Sequence, residues 1–454
     1  MIDALKSITI YLGVFGLSFF LFRKNEQELL SENCNSKLPI YKRAVFTLWE
    51  NRWAVLGIFL LSILAGLRAD SVGVDVTVYP DAFLRSAVGY KSFLDFLNDP
   101  VVQPIFEPLH ALVVWLCSRV TVEKGLLLFC YQLLTVTPVY CALYQLRKHA
   151  PISMGMAVYM LFFYNNSLNM MRQSVSCAFL LLAFSIFLAR QGKPSWEAVV
   201  SAVAAVLFHR SGIYGLILLL CASPLGLARR RWVRPVAYLA IAFAPLLLVC
   251  ALQLFEAGGF NDPHIEYYYN VFIAKSVNAD WFINPMKFSS IAYVVMYSWL
   301  IFLPKFLPVL LGKDGVLLGL FDSCALFRRR SQYLGTHFAN GTHMASQSRR
   351  SRYAEKLSSG VADETKRLSA YLHNLNVVGY ILYIAILLAL QTVYGIRISL
   401  YFDFFLIPSI CLACNGDNVR YKKILVLISL VCIWLVWIIR LGWSGSQTYL
   451  FFFE

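Results

Sequence analysis

Five separated stretches of this chain carry the residue types that grip phosphate and move protons. Arg68, Asp75 and Tyr79 lie in LRADSVGVDVTVYPD, Glu107 in QPIFEPLH, and Asn169, Arg172 and Gln173 in FYNNSLNMMRQSVSC. His209, Arg210 and Ser211 fall in LFHRSGIY, and Arg397 and Tyr401 in GIRISLYFDFF. Arginine's planar, permanently charged fork matches phosphate oxygens two at a time. Arg172 and Arg397, with Arg68 or Arg210 assisting, therefore suit a lipid diphosphate that must be held and stabilised as it leaves. A carboxylate or imidazole within reach of an incoming sugar hydroxyl can take its proton. Asp75, Glu107 and His209 are the candidates, and the sequence does not rank them.

Each residue also has a plainer reading. An arginine at a helix end can snorkel to headgroups or answer the helix dipole. Asp75, close after Gly73, suits a turn or an N-cap, and Glu107 before Pro108 suits a first-turn acid. A lone histidine between two short helices can be a hydrogen-bonded hinge. The functional reading rests on convergence, because all five stretches are expected at one level on one face.

The elements that must position them are membrane helices. Of 454 residues, 59% are hydrophobic and 14% charged, against roughly 25% charged in a soluble domain. The chain reads as an all-α, polytopic membrane protein, 1–454 forming one integral-membrane domain. About twelve spans are expected: 5–22, 53–67, 125–146, 152–164, 173–189, 197–208, 211–225, 235–255, 286–311, 375–394, 398–414 and 424–441. Several are shorter than the roughly 20 residues a straight span needs, and short or broken helices are tolerated where they pack in a bundle or line a wet cavity. The first is expected to be an uncleaved helix, because Arg23 and Lys24 follow its apolar run where a small-residue cleavage site would stand.

Short basic clusters between the apolar runs set the orientation. They put 68–104 and 256–285 outside as loops and 312–373 inside as a basic loop. The apolar segment 105–118 is expected to be a half-helix that enters from the outer face and returns. The net charge of +15 is accounted for by these clusters, so no nucleic-acid partner is expected; the lipid bilayer is. Most of the eleven cysteines lie in apolar runs, and Cys411-x-x-Cys414 lacks a second pair at zinc spacing, so both are read as packing. No P-loop, nucleotide-binding glycine pattern or DxD is present. No cofactor and no metal is expected.

In order along the chain come R-x-x-x-x-G-x-D-x-x-x-Y across Arg68, Gly73, Asp75 and Tyr79; F-E-P-L at 106–109; N-x-x-R-Q at Asn169, Arg172 and Gln173; F-H-x-S at 208–211; and R-x-x-x-Y-F from Arg397 to Phe402. This series, over roughly residues 53–441, resembles the EpsG family of bacterial polysaccharide polymerases, a branch of the Wzy-type O-antigen and exopolysaccharide polymerases. The long basic loop and the terminal QTYLFFFE depart from that pattern. The resemblance implies a fold related to C-type membrane glycosyltransferases, multi-pass in the bacterial inner membrane. It implies that a growing glycan on undecaprenyl diphosphate is transferred to a single lipid-linked repeat unit at the periplasmic face. Tyr79, Asn169, Gln173 and Tyr401 would then meet sugar hydroxyls, and a chain-length regulator and a flippase would be partners. A ligase or single-sugar transferase using a lipid-linked donor, or a flippase of lipid-linked glycans, would draw on a similar cationic site.

Overall fold

The computed structural model describes residues 2–35, 50–69, 71–73, 80–100, 102, 106–190, 195–213, 215–216, 288–311, 365–366, 368–384, 387, 393–415, 419–441 and 449–451. Asp75, Tyr79, the expected helix 235–255 and the outer loop 256–285 lie outside the described residues, as do most of the expected helix 211–225 and 312–364 of the basic loop.

Among the described residues the chain is helical, with one isolated antiparallel bridge between Arg68 and Phe451 and no strand. The first ten helices are α1 (Ile2–Asn35), α2 (Arg52–Gly66), α3 (Pro80–Val88), α4 (Phe93–Asn98), α5 (Pro108–Val120), α6 (Lys124–Gln145), α7 (Ile152–Val158), α8 (Tyr164–Asn169), α9 (Met171–Ala189) and α10 (Trp196–Phe208). Helices Phe288–Leu311, 368–384, Val393–Asp403, Leu406–Ala413 and Val419–Val436 follow. Among the described residues, five helices are long and apolar enough to cross a membrane: Leu5–Ser31, Lys124–Gln145, Met171–Ala189, Ser290–Leu307 and Val419–Ile439. Four shorter apolar helices accompany them. One of these, α5, has 13 residues, or about 20 Å, against a hydrocarbon core of roughly 30 Å.

Three boundaries differ from the hydropathy reading. Helix α1 runs on to Asn35, well past Phe22, because its polar half is stitched to α2. Asn25 bonds Asn51 and Tyr140, and Glu28 accepts from Arg52 at 2.8 Å and from the Trp53 indole at 2.7 Å. The helix expected over 398–414 is two, Val393–Asp403 and Leu406–Ala413, parted at Phe404 and Phe405. The helix at 368–384 starts inside the stretch expected to be loop up to 373.

The core combines apolar packing with polar stitches. Helices α6, α9 and α10 pack side by side, with α2 against α6 and α1 against α2. Between α7 and α8, Tyr159–Phe163 widens into a π-turn. There the Tyr159 hydroxyl accepts from Gln132 at 2.8 Å and lies 3.2 Å from Ser167. Such pairing is how buried polar groups are satisfied between membrane helices. Cys411 and Cys414 are buried free thiols in the same core.

Candidate functional site: a carboxylate shared by an arginine and a histidine

Glu107 is set by its own local sequence. A residue before proline is kept out of the helical region, and proline is favoured at the first helical position. Glu107 accordingly takes extended angles as N-cap of α5, with Pro108 next. Its side chain makes no capping bond and turns to two other elements. Oε2 accepts from Arg172 Nη1 at 2.8 Å. Oε1 accepts from His209 Nδ1 at 2.9 Å and from the Arg210 backbone N–H at 3.3 Å.

Arg172 reaches this point because the polypeptide breaks at Met170, whose φ of −87° and ψ of 57° separate α8 from α9. The arginine then sits in the first turn of α9. Asn165, from the same polar stretch, accepts from the Trp434 indole at 3.2 Å, and Asn169 is buried. Gln173 donates to the Arg397 backbone carbonyl, docking the helix Val393–Asp403 on α9.

His209 is positioned by the end of α10. Its extended backbone stops the helix, and the Gly212 N–H closes a tight turn onto the His209 carbonyl at 2.7 Å. Gly212 is required there: a Cβ would stand 2.6 Å from Ser176 Oγ and 2.8 Å from the Ala205 carbonyl. In the same turn, the Ser211 and Tyr401 hydroxyls lie 2.7 Å apart.

Electrostatics fix the state of the carboxylate. Burial pushes the Glu107 carboxyl up, but the His209 hydrogen bond and the Arg172 charge outweigh it and hold the group well below the usual carboxylate range. At neutral pH Glu107 is therefore an anion that accepts hydrogen bonds, and it has no proton to give. Because Nδ1–H of His209 is spent on that anion, Nε2 is the nitrogen left to meet a substrate.

His110 was not singled out from the sequence, although it lies three positions after Glu107 on the same helical face. It is buried, stacks on Phe106 at 4.8 Å, and bonds the Tyr131 hydroxyl through Nδ1. The spacing F-E-P-L-H is the signal that finds it.

Arg68 departs from the expected surroundings. It is 2% exposed, past the end of α2, and its Nη2 touches Met171 Sδ at 3.5 Å. Burial lowers its pKa to about 10, which leaves it charged at neutral pH. The geometry thus joins Glu107, Arg172, His209 and the Arg210 backbone directly, while Gln173, next to Arg172, holds the backbone carbonyl of Arg397. Arg68 makes none of these contacts and touches Met171 instead.

A family model described as EpsG family matches residues 51–306. That range contains Glu107, Arg172 and His209, and leaves Arg397 and Tyr401 beyond it. No curated protein and no solved structure matches.

Proposed function

Since the chain belongs to the EpsG family, a Wzy-like polymerase family associated with exopolysaccharide and O-antigen, we propose that the Glu107 cluster polymerises lipid-linked oligosaccharide repeat units. The donor is a growing glycan on undecaprenyl diphosphate. The acceptor is a sugar hydroxyl of one lipid-linked repeat unit, and the site faces the periplasm in the bacterial inner membrane. Twelve or so spans and a relation to C-type membrane glycosyltransferases belong to the same proposal, as do a chain-length regulator and a flippase as partners.

The observation that carries it is the shared carboxylate. Glu107 orients His209 so that Nε2 accepts the acceptor hydroxyl's proton as its oxygen bonds the anomeric carbon. The anomeric C–O bond to the diphosphate breaks, and undecaprenyl diphosphate leaves with that electron pair. Arg172, with Arg397 and Arg210, stabilises the leaving charge in place of a metal. His209 is thereby the base, Glu107 its positioning residue, and Asp75 a third acid on the outer stretch. Asn169, Gln173, Tyr401 and Tyr79 are the glycan contacts in this reading.

Deletion of the gene followed by gel analysis of surface glycan tests it. A lost polymerase leaves a single repeat unit on its acceptor; a lost flippase leaves none, which would overturn the proposal.

A further inference from the structure

Two residues beyond the end of α2, the chain pairs with the segment Tyr449–Phe451. Arg68 bridges Phe451, and the Ala69 N–H donates to the Leu450 carbonyl at 2.8 Å. Tyr449 is fully buried: its N–H donates to Ser7 Oγ at 2.8 Å and its hydroxyl to the Leu64 carbonyl at 2.6 Å. Its ring lies 5.4 Å from Tyr11 and 5.1 Å from Phe451. Short backbone pairing and one anchored ring thus lay this segment over Arg68.

Beneath it the guanidinium is poorly matched. Among the described residues Arg68 has no ion pair, and its buried Nε and Nη1 have no hydrogen-bond partner. The neighbouring groups are the phenols of Tyr11, Tyr164 and Tyr449, and the single contact from Nη2 goes to a thioether, a weak acceptor. A buried charge with idle donors is expensive. Such a group persists where a ligand of opposite charge completes it. Met171, which Arg68 touches, directly precedes Arg172 in the chain.

We propose that Arg68 and the segment Tyr449–Phe451 form an enclosed phosphate sub-site, the guanidinium binding an oxyanion of a diphosphate and the segment serving as its cover. This rests on the polymerase reading for the identity of the diphosphate, while the binding itself can be measured without polymerisation.

The test uses the purified full chain in detergent, with thermal stability followed against inorganic pyrophosphate and against a polyprenyl diphosphate. Wild type is stabilised by either or both; stabilisation by the lipid alone identifies a lipid-borne anion. No stabilisation by either overturns the sub-site. Arg68→Met is expected to leave the resting Tm equal or higher, because an uncompensated charge is gone, and to weaken anion binding at least about tenfold. An intact anion response in Arg68→Met contradicts the proposal. If that variant does not accumulate, Arg68→Lys carries the test: it keeps the charge but not the fork, so about tenfold weaker binding is expected, and undiminished affinity contradicts the proposal. Removing residues 449–454 is expected to weaken binding with Arg68 still present; an unchanged affinity removes the cover from the account. Arg172→Ala should retain an Arg68-dependent response even where polymerisation is lost. If the purified chain joins no lipid-linked repeat units while that response persists, the polymerase reading falls and the sub-site stands.

Discussion

Glu107 and His209 are 102 positions apart in the sequence, and Oε1 of one accepts from Nδ1 of the other at 2.9 Å. The contact joins the start of a short helix to the end of another, and it decides which imidazole nitrogen remains for chemistry.

Replacing Glu107 by Gln keeps the side chain's shape and removes its charge. An amide can turn its NH2 toward His209 and hold the wrong tautomer. Polymer output is expected to fall about 100-fold or more, with membrane abundance unchanged by immunoblot. Polymer at wild-type level would remove Glu107 from the mechanism.

At position 172 the fork matters as well as the charge. Arg172 bonds Glu107 through Nη1, and a lysine ammonium cannot hold that anion and also present a planar pair of donors to phosphate. Arg172→Lys is expected to insert normally and to give mostly single repeat units on a surface-glycan gel. Full-length ladders would reduce Arg172 to a counter-ion.

The same carboxylate predicts a pH dependence of stability. Its folded pKa lies below the unfolded value of about 4.3. Its contribution is therefore complete above that value and fades as pH falls toward the folded pKa. The Tm gap between wild type and Glu107→Gln should narrow as pH falls below about 4. A gap that goes on widening below about pH 4 would reverse the assigned ionisation of Glu107.

Gly212→Ala tests the turn that aims His209. The added methyl meets the Ala205 carbonyl and Ser176 Oγ, a backbone clash that Ser176→Ala cannot relieve. A stability loss of about 1–3 kcal/mol is expected, with polymer output falling further than abundance. Rescue by Ser176→Ala would mean that only the side-chain contact matters.

Much of the fold is legible in hydropathy because α2, α6, α9 and α10 are apolar runs with short polar ends. The polar half of α1 is hidden, since what holds it is tertiary: Asn25 to Asn51 and Tyr140, and Glu28 to Arg52 and Trp53. The break at Phe404 and Phe405 carries neither glycine nor proline. For the site, residue types were enough to nominate Glu107, Arg172 and His209 as charged or titratable groups near expected membrane depth. Their pairing spans 65 and 102 positions, which no local pattern encodes. Arg68 looked like its neighbours in type, and only burial and idle donors separate it from them.

The most direct measurement follows polyprenyl diphosphate release by the purified chain, reconstituted in vesicles with a lipid-linked repeat unit and with chelator present. The account predicts that wild type releases one diphosphate per glycosidic bond formed, and that His209→Gln lowers the rate by about 10²–10⁴-fold with its Tm intact. A His209→Gln rate near wild type, or a wild-type rate abolished by the chelator, would contradict it.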